Sequence, residues 1–437
     1  QKKSDMKIKI SRFITCLLLL VGVYSIPLQA QSLEWVNVFG GSDGELGGSI
    51  ITDASGNIYT TGYFTDTVDF NPGPGTAILI SEGERDVFIQ KVDASGNFLW
   101  AKAFGGSKAD NGRSITVDAA GNIYTTGEFQ ETVDFDPGPD TAMLNAVGSQ
   151  DVFIQKIDAS GDFLWAKAFG GSMVDIGSSI TVDALGNIYT TGEFMETVDF
   201  DPGTDTANLS ATGNRDVFVQ KMDAAGNFIW ARTFGGINRD VGTSIAIDAS
   251  GNIYTTGSFQ DTVDFNPGAG VNNHSAAGGR DAFIQKMDGA GNFLWAKVFG
   301  GTSFDAATAI TINAAGNVFT TGYFIGTVDF DPGAGTANLS SAGSRDIFVQ
   351  KLDASGNFIR AKVFGGSNSD GGESITLDAS GNIYTTGYFL DTADFDPGVD
   401  TANLSAAGSR DVFVQKMDAA GNFLWAQAFG GTDFDFG

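Results

Sequence analysis

Asp53-Ala-Ser-Gly-Asn-Ile-Tyr-Thr-Thr-Gly-Tyr-Phe64 and Asp93-Ala-Ser-Gly-Asn-Phe-Leu-Trp-Ala-Lys-Ala-Phe-Gly-Gly106 carry the reading of this chain. Each opens on a tight Asp-Ala-Ser-Gly-Asn turn and runs into a β-branched and aromatic segment. Ser49-Ile-Ile-Thr-Asp53 and Asp86-Val-Phe-Ile-Gln-Lys-Val-Asp93 supply the matching runs before the turns. Short β-rich runs joined by a Gly-containing connection are hairpin signals. In such a turn Asp53 and Asp93 accept backbone N–H bonds, and Gly56 and Gly96 take the positive-φ position. A 3.6-residue apolar stripe is missing, and Gly, Thr and Asp abound, so helices are not expected.

Working outward, the same unit recurs with no insertion or deletion. Its closing Phe-Gly-Gly begins at Phe39, Phe104, Phe169, Phe234, Phe299, Phe364 and Phe429, a constant period of 65 residues. A fixed long period marks a repeat architecture in which each unit buries an apolar face against its neighbours. Two hairpins per unit, paired up and down, predict an all-β chain of four-stranded antiparallel blades, a β-propeller. The blades span about 40–104, 105–169, 170–234, 235–299, 300–364 and 365–429, with 430–437 opening a seventh copy. Phe64, Phe70, Phe88, Phe98 and Phe104 recur in nearly every copy and are expected as the packing layer between blades. Leu33 to Phe39 reads as an extra outer strand. It would be clasped if the intact protein closes with seven blades, so this chain is expected to be a fragment.

The stretch Asp53 to Gly62, echoed from Asp118, Asp183, Asp248, Asn313 and Asp378, resembles the signature of the bacterial seven-bladed beta-propeller (SBBP) repeat family. That resemblance implies an exported or surface-displayed propeller, generally without a defined activity. The 65-residue unit departs from the family's shorter one through the excursion between the second and third strands.

Residues 1–30 form a separate object. Met6 to Arg12 is basic, Ile14 to Val23 apolar, and Pro27-Leu-Gln-Ala30 a small-residue cleavage site: a secretory signal peptide, too short for a membrane span. Its loss leaves the propeller at 31–437 without its single cysteine, Cys16, and so without thiol, thiolate or disulfide chemistry. The leader carries a net +4, so the net charge of −27 becomes −31. Such a surface repels phosphate backbones and anionic lipid, which excludes nucleic acid as a partner. No stretch of the mature chain is apolar enough to span a membrane. Location outside the cell, secreted or on a bacterial cell or outer-membrane surface, is the expectation.

Chemistry is sought in the longer connections. The excursion carries Val-Asp-Phe-(Asn/Asp)-Pro-Gly, giving Asp69/Asn71, Asp134/Asp136, Asp199/Asp201, Asp264/Asn266 and Asp329/Asp331, with Asp394/Asp396 after Ala393 in the sixth copy. Asp140, Asp205 and Asp400 follow four residues later. Alternating carboxylates before a Gly turn offer the hard oxygens that Ca²⁺ takes. The same residues also serve Asx turns before Pro-Gly with no metal, and the EF-hand spacing and a regular bidentate Glu are both missing. After each Phe-Gly-Gly stands an acid: Glu45, Asp110, Asp175, Asp240, Asp305, Asp370 and Asp435. These read as turn-closing residues that would also make an electronegative channel mouth able to hold a cation.

No nucleophile motif, phosphate loop or zinc site is found, and acids are too widespread to single out a hydrolytic pair. His274, the one histidine, lies in a variable loop and reads as surface decoration. Trp100, Trp165, Trp230, Trp295 and Trp425 fall in the fourth strand, where packing explains them; Arg360 stands there in the fifth copy. The expected function is therefore a non-catalytic exported module for surface interaction or structure. A carbohydrate-binding or carbohydrate-active propeller is the alternative. Whether the ligand is protein or glycan is not legible.

Overall fold

A computed structural model describes residues 35–41, 44–433 and 435. The chain separates into two compact units, Gln1–Val36 and Asn37–Gly437, and all repeats lie in the second. The signal peptide expected at 1–30 falls outside the described residues.

In the first repeat β1 (Leu46–Thr52), β2 (Ile58–Phe64), β3 (Thr67–Asp69), β4 (Ile78–Ile80), β5 (Asp86–Val92) and β6 (Phe98–Gly106) follow one another. β1, β2, β5 and β6 form one antiparallel sheet in that order, and the order recurs in all six copies. The turns form as their chemistry dictates. Asp53 Oδ1 accepts the N–H groups of Ser55 and Asn57 at 2.8 and 2.9 Å, and its Oδ2 accepts the Asn57 amide and the Tyr59 hydroxyl. Gly56 and Gly96 sit at φ of 81° and 80°.

The excursion is more than a loop. β3 and β4 pair as a small hairpin, Thr67 opposite Ile80 and Asp69 opposite Ile78. This hairpin bridges back to the last strand of the preceding repeat, through Gly105 opposite Asp134 and Gly170 opposite Asp199. Successive sheets approach most closely along their β1-type strands, where Ser49 Oγ accepts the N–H of Ile115 at 3.3 Å. Blades that meet along an inner strand diverge outward, and close packing requires the wedge between them to be filled. The hairpin fills it. Phe135, just after its first strand, meets Phe104 of the preceding sheet at 5.3 Å and Phe153 and Phe129 of its own at 5.3 and 5.2 Å.

The glycines of two motifs answer to close approaches. β1 carries a bulge between Gly47 and Ser49, and a Cβ on the opposite Gly62 would stand 1.8 Å from the Leu46 carbonyl oxygen. That bulge explains Thr-Thr-Gly. In Phe-Gly-Gly, a Cβ on Gly105 would stand 2.4 Å from the Asp86 carboxyl carbon. The outer strand expected at Leu33–Phe39 is not formed over the described residues 35–39; only the end of that segment takes the place of a fourth strand, Phe39 stacking on Phe70 at 5.2 Å and Gly40 bridging Asp69.

Candidate functional site

The excursion acids are engaged by their own loops. Asp69 Oδ1 accepts the N–H groups of Asn71 and Ala77, and Asn71 Oδ1 that of Gly73. Asp134 and Asp136, Asp199 and Asp201, Asp264 and Asn266, Asp329 and Asp331, and Asp394 and Asp396 repeat those bonds. Each is an Asx turn that closes the hairpin loop. Among the described residues no three carboxylate, histidine or cysteine side chains gather as a metal-holding group. Asp140, Asp205 and Asp400 are exposed at the loop tips.

Five of the seven acids after Phe-Gly-Gly are too buried to line a channel mouth, while Glu45 and Asp435 are partly exposed. Asp110, Asp175, Asp240, Asp305 and Asp370 are fully or almost fully buried. Asp110 Oδ2 accepts the N–H of Gly106 at 2.8 Å and its Oδ1 that of Gln130 at 3.0 Å. Two backbone donors from different connections draw the carboxylate inward, which overturns the expected electronegative rim. The Asp110–Gln130 bond also puts the β6-to-β1 and β2-to-β3 connections at one end of the sheets, opposite the tight turns.

At that shared end the repeats differ. The penultimate residue of the β2-type strand is Tyr63, Glu128, Glu193, Ser258, Tyr323 or Tyr388, whereas the opposite turns repeat Asp-Ala-x-Gly almost unchanged. An arginine precedes the β5-type strand in five of the six copies and adapts to that residue. Arg85 and Arg345 lie over the rings of Tyr63 and Tyr323 at 4.5 and 4.4 Å, a cation–π geometry. Arg215 instead bonds Glu193 at 2.5 Å, and Arg239 grips the same carboxylate through two nitrogens at 2.8 and 2.7 Å. Glu193 thereby holds the Arg239 guanidinium firmly in its charged form. Arg113 forks onto Glu128. Met173, Ile237 and Phe304, in three successive β6-to-β1 connections, leave apolar side chains exposed beside these charges. Sequence reasoning saw acids in these connections and missed the arginine–tyrosine–glutamate pattern. Aligning the copies position by position would have exposed it.

One expectation shifts and one holds. His274 is not surface decoration: half-buried, it takes the seat that Leu144 and Leu209 take in other copies, 5.8 Å from the Phe265 ring, with Nε2 on Asn272 Oδ1. Burial, then Lys297, lowers its pKa and favours neutral imidazole. The tryptophans pack across the seam on a turn glycine of the next copy, Trp100 on Gly161 and Trp165 on Gly226, and Arg360 fills the same seat on Gly421.

Stacked four-stranded antiparallel blades define a β-propeller chain. A family model described as SBBP, a beta-propeller repeat, matches residues 99–128, 164–193 and 229–258, each running from a β6-type strand into the next β2-type strand. Three stretches of the chain, about a fifth of it, thus match that beta-propeller repeat. It is similar to an uncharacterized WD repeat-containing protein of Acanthamoeba polyphaga mimivirus, 26% identical over 90% of this chain and 34% of that protein. It is also similar to the regulatory protein FlaEY of Caulobacter vibrioides, 25% identical over 78% of this chain and 36% of that protein. The chain thus spans about a third of the length of these curated relatives. Among solved structures, Sqt1 of Chaetomium thermophilum matches with a TM-score of 0.39 and 11% identity, covering 90% of this chain and 85% of Sqt1.

Proposed function

We propose that this chain is a non-catalytic interaction module, secreted or displayed on a bacterial surface, whose partner engages the end formed by the two longer connections. The observation that carries the reading is where the copies diverge. Sheets, seams and tight turns repeat almost residue for residue, while Arg239, Glu193, Phe304 and their equivalents differ from copy to copy at one end. A body held together by identical seams gains nothing structurally from that variation, whereas a single asymmetric partner requires it. Exposed apolar residues among arginines and carboxylates are the surface composition of protein interfaces. Export is proposed from residues 1–30. The carbohydrate alternative would need displayed aromatic platforms, and the tryptophans are instead spent on seam glycines.

The test is site-resolved photocrosslinking. A benzophenone side chain at Phe304 or Met173, on the variable end, and at Leu185, on a tight turn, is exposed to intact source cells. Adducts from Phe304 or Met173 but not from Leu185 support the reading; equal labelling from all three, or specific retention on a glycan array, defeats it.

A further inference from the structure

Every seam contains two buried carboxylates that the proposed interaction does not use. Asp86 opens its β5 strand and is 2% exposed; Asp110 follows the next Phe-Gly-Gly and is 0% exposed. The Asp110 N–H donates to the carbonyl of Arg85, the residue before Asp86, at 2.9 Å, so the two acids flank one segment. The pairs Asp151/Asp175, Asp216/Asp240, Asp281/Asp305 and Asp346/Asp370 repeat this, with the same bond from the second acid to the residue before the first. A Cβ on Gly365 would lie 3.0 Å from Asp346 Oδ1 and 2.9 Å from Asp370 Oδ2. Those two oxygens are therefore within about 6 Å of each other, close enough for each charge to disfavour the other.

Their hydrogen bonding is unequal. Both oxygens of Asp110 accept backbone N–H groups, from Gln130 and Gly106. Asp86 Oδ2 accepts the N–H of Glu82 at 2.9 Å, but its Oδ1 is buried with no partner, as are Oδ1 of Asp216, Asp281 and Asp346. A buried, unpaired carboxylate oxygen beside a second carboxylate is costly unless it carries a proton. The glycine slot is filled by the Asp86 carboxyl group itself, which leaves space for a proton sooner than for a coordinated ion.

We propose that the seams of Asp86, Asp216, Asp281 and Asp346 each store one exchangeable proton, held on the free Oδ1 of that residue beside the Asp110-type carboxylate; in the remaining seam Asp151 Oδ1 is taken by the Gly148 N–H at 3.3 Å. These seams together then form a pH-sensitive clasp, tight in mild acid and weakened once the stored proton has been released to water.

The charged surroundings agree. Burial above all, with Glu82 adding to it, pushes Asp86 up to about 6. Burial, then Asp86 and Glu128, pushes Asp110 up to about 7. Burial lifts Asp281 and Asp346 to about 6, with Asp305 and Asp370 facing them. Burial and Asp151 raise Asp175, and burial and Asp216 raise Asp240, against the opposing charges of Arg215 and Arg280. Asp391 faces Asp370 and adds to its burial. Each pair titrates as a unit. The folded chain keeps protons that the unfolded chain releases above about pH 4, so stability falls as pH rises from there through about 7.

The test is thermal unfolding of the full chain from pH 5 to pH 8, beside the triple variant D86N/D281N/D346N. An Asn amide at these positions places a permanent donor where the proton is proposed. The wild type should melt progressively lower as pH rises. The variant should melt higher than wild type at pH 8 and show a shallower slope. An equal slope in both proteins overturns the proposal. So does restoration of the pH 8 melting point by Ca²⁺, which would assign the pairs to a cation. Should the variant not fold, carboxyl-carbon NMR of the labelled wild type decides: protonated aspartates persisting at pH 6 support the clasp, and full ionisation at pH 6 removes it.

Discussion

Arg360 lies on Gly421 and donates from its guanidinium to the Ala419 carbonyl at 2.9 Å, in the seat that Trp295 takes on Gly356 one copy earlier. The seam accepts either side chain because the turn glycine presents a flat backbone surface. An indole covers it with apolar area, and a guanidinium covers it with a plane and a hydrogen bond.

Burial in that seat sets the scale of loss. Trp230 is nearly buried between strand and turn, so Trp230→Ala should cost about 3–5 kcal/mol, the range for large-to-small core changes. Arg360→Trp should be neutral or stabilising by up to about 1.5 kcal/mol, since it exchanges one hydrogen bond for apolar burial. Denaturant midpoints of the two variants check both; a loss under about 1 kcal/mol for Trp230→Ala would mean the ring does not hold the seam.

Gly62→Ala should be the more damaging of two glycine substitutions. Its Cβ would meet the Leu46 carbonyl oxygen at 1.8 Å, a backbone atom fixed by the bulge, while that of Gly105→Ala would meet the Asp86 side chain at 2.4 Å. Overpacking against a side chain typically costs about 1–3 kcal/mol. The order of melting points, wild type above Gly105→Ala above Gly62→Ala, is the readout.

Asp134 tests the calcium reading against the turn. Its Oδ1 serves the N–H groups of Asp136 and Ala142, and Asn keeps an oxygen there. Asp134→Asn should therefore change stability by less than about 1 kcal/mol, whereas Asp134→Ala forfeits two hydrogen bonds worth about 1 kcal/mol each. Melting of the wild type should not respond to Ca²⁺ or chelator. A true site would raise stability by about 2.7 kcal/mol at a hundredfold excess of ion over Kd.

The tight-turn aspartates set the acid limit. The Asn97 side chain, then its backbone N–H, lowers Asp93, and the Asn382 side chain, against an opposing effect of burial, leads the set that brings Asp378 down to about 2. A lowered folded pKa contributes stability above the unfolded value near 4 that is lost as pH falls toward 2. Unfolding at fixed temperature should thus appear as pH drops from about 4 to 2, and Asp93→Asn should blunt that limb.

How much was legible varied with the range of the interaction. The turns were readable because Asp53, Gly56 and Asn57 meet within five residues. The four-strand order followed from parity, and the packing role of the phenylalanines from their recurrence. The β3–β4 hairpin was not seen, since three-residue strands such as Thr67–Asp69 carry too little alternation to stand out from a loop. His274 looked like decoration because nothing local reports that its position faces Phe265.

By itself the sequence determined the 65-residue unit, its turns and its all-β character, because these rest on periodicity and on bonds between near neighbours. Only the tertiary structure decided which carboxylates are spent and which are stored. Asp69 and Asp110 look alike in sequence, yet the first closes its own exposed loop and the second is buried against another acid. The physical reason is distance along the chain: Asp110 takes Gln130 from twenty residues ahead and shares its seam with Asp86 from the sheet behind. The burial of both charges arises only when neighbouring sheets stack.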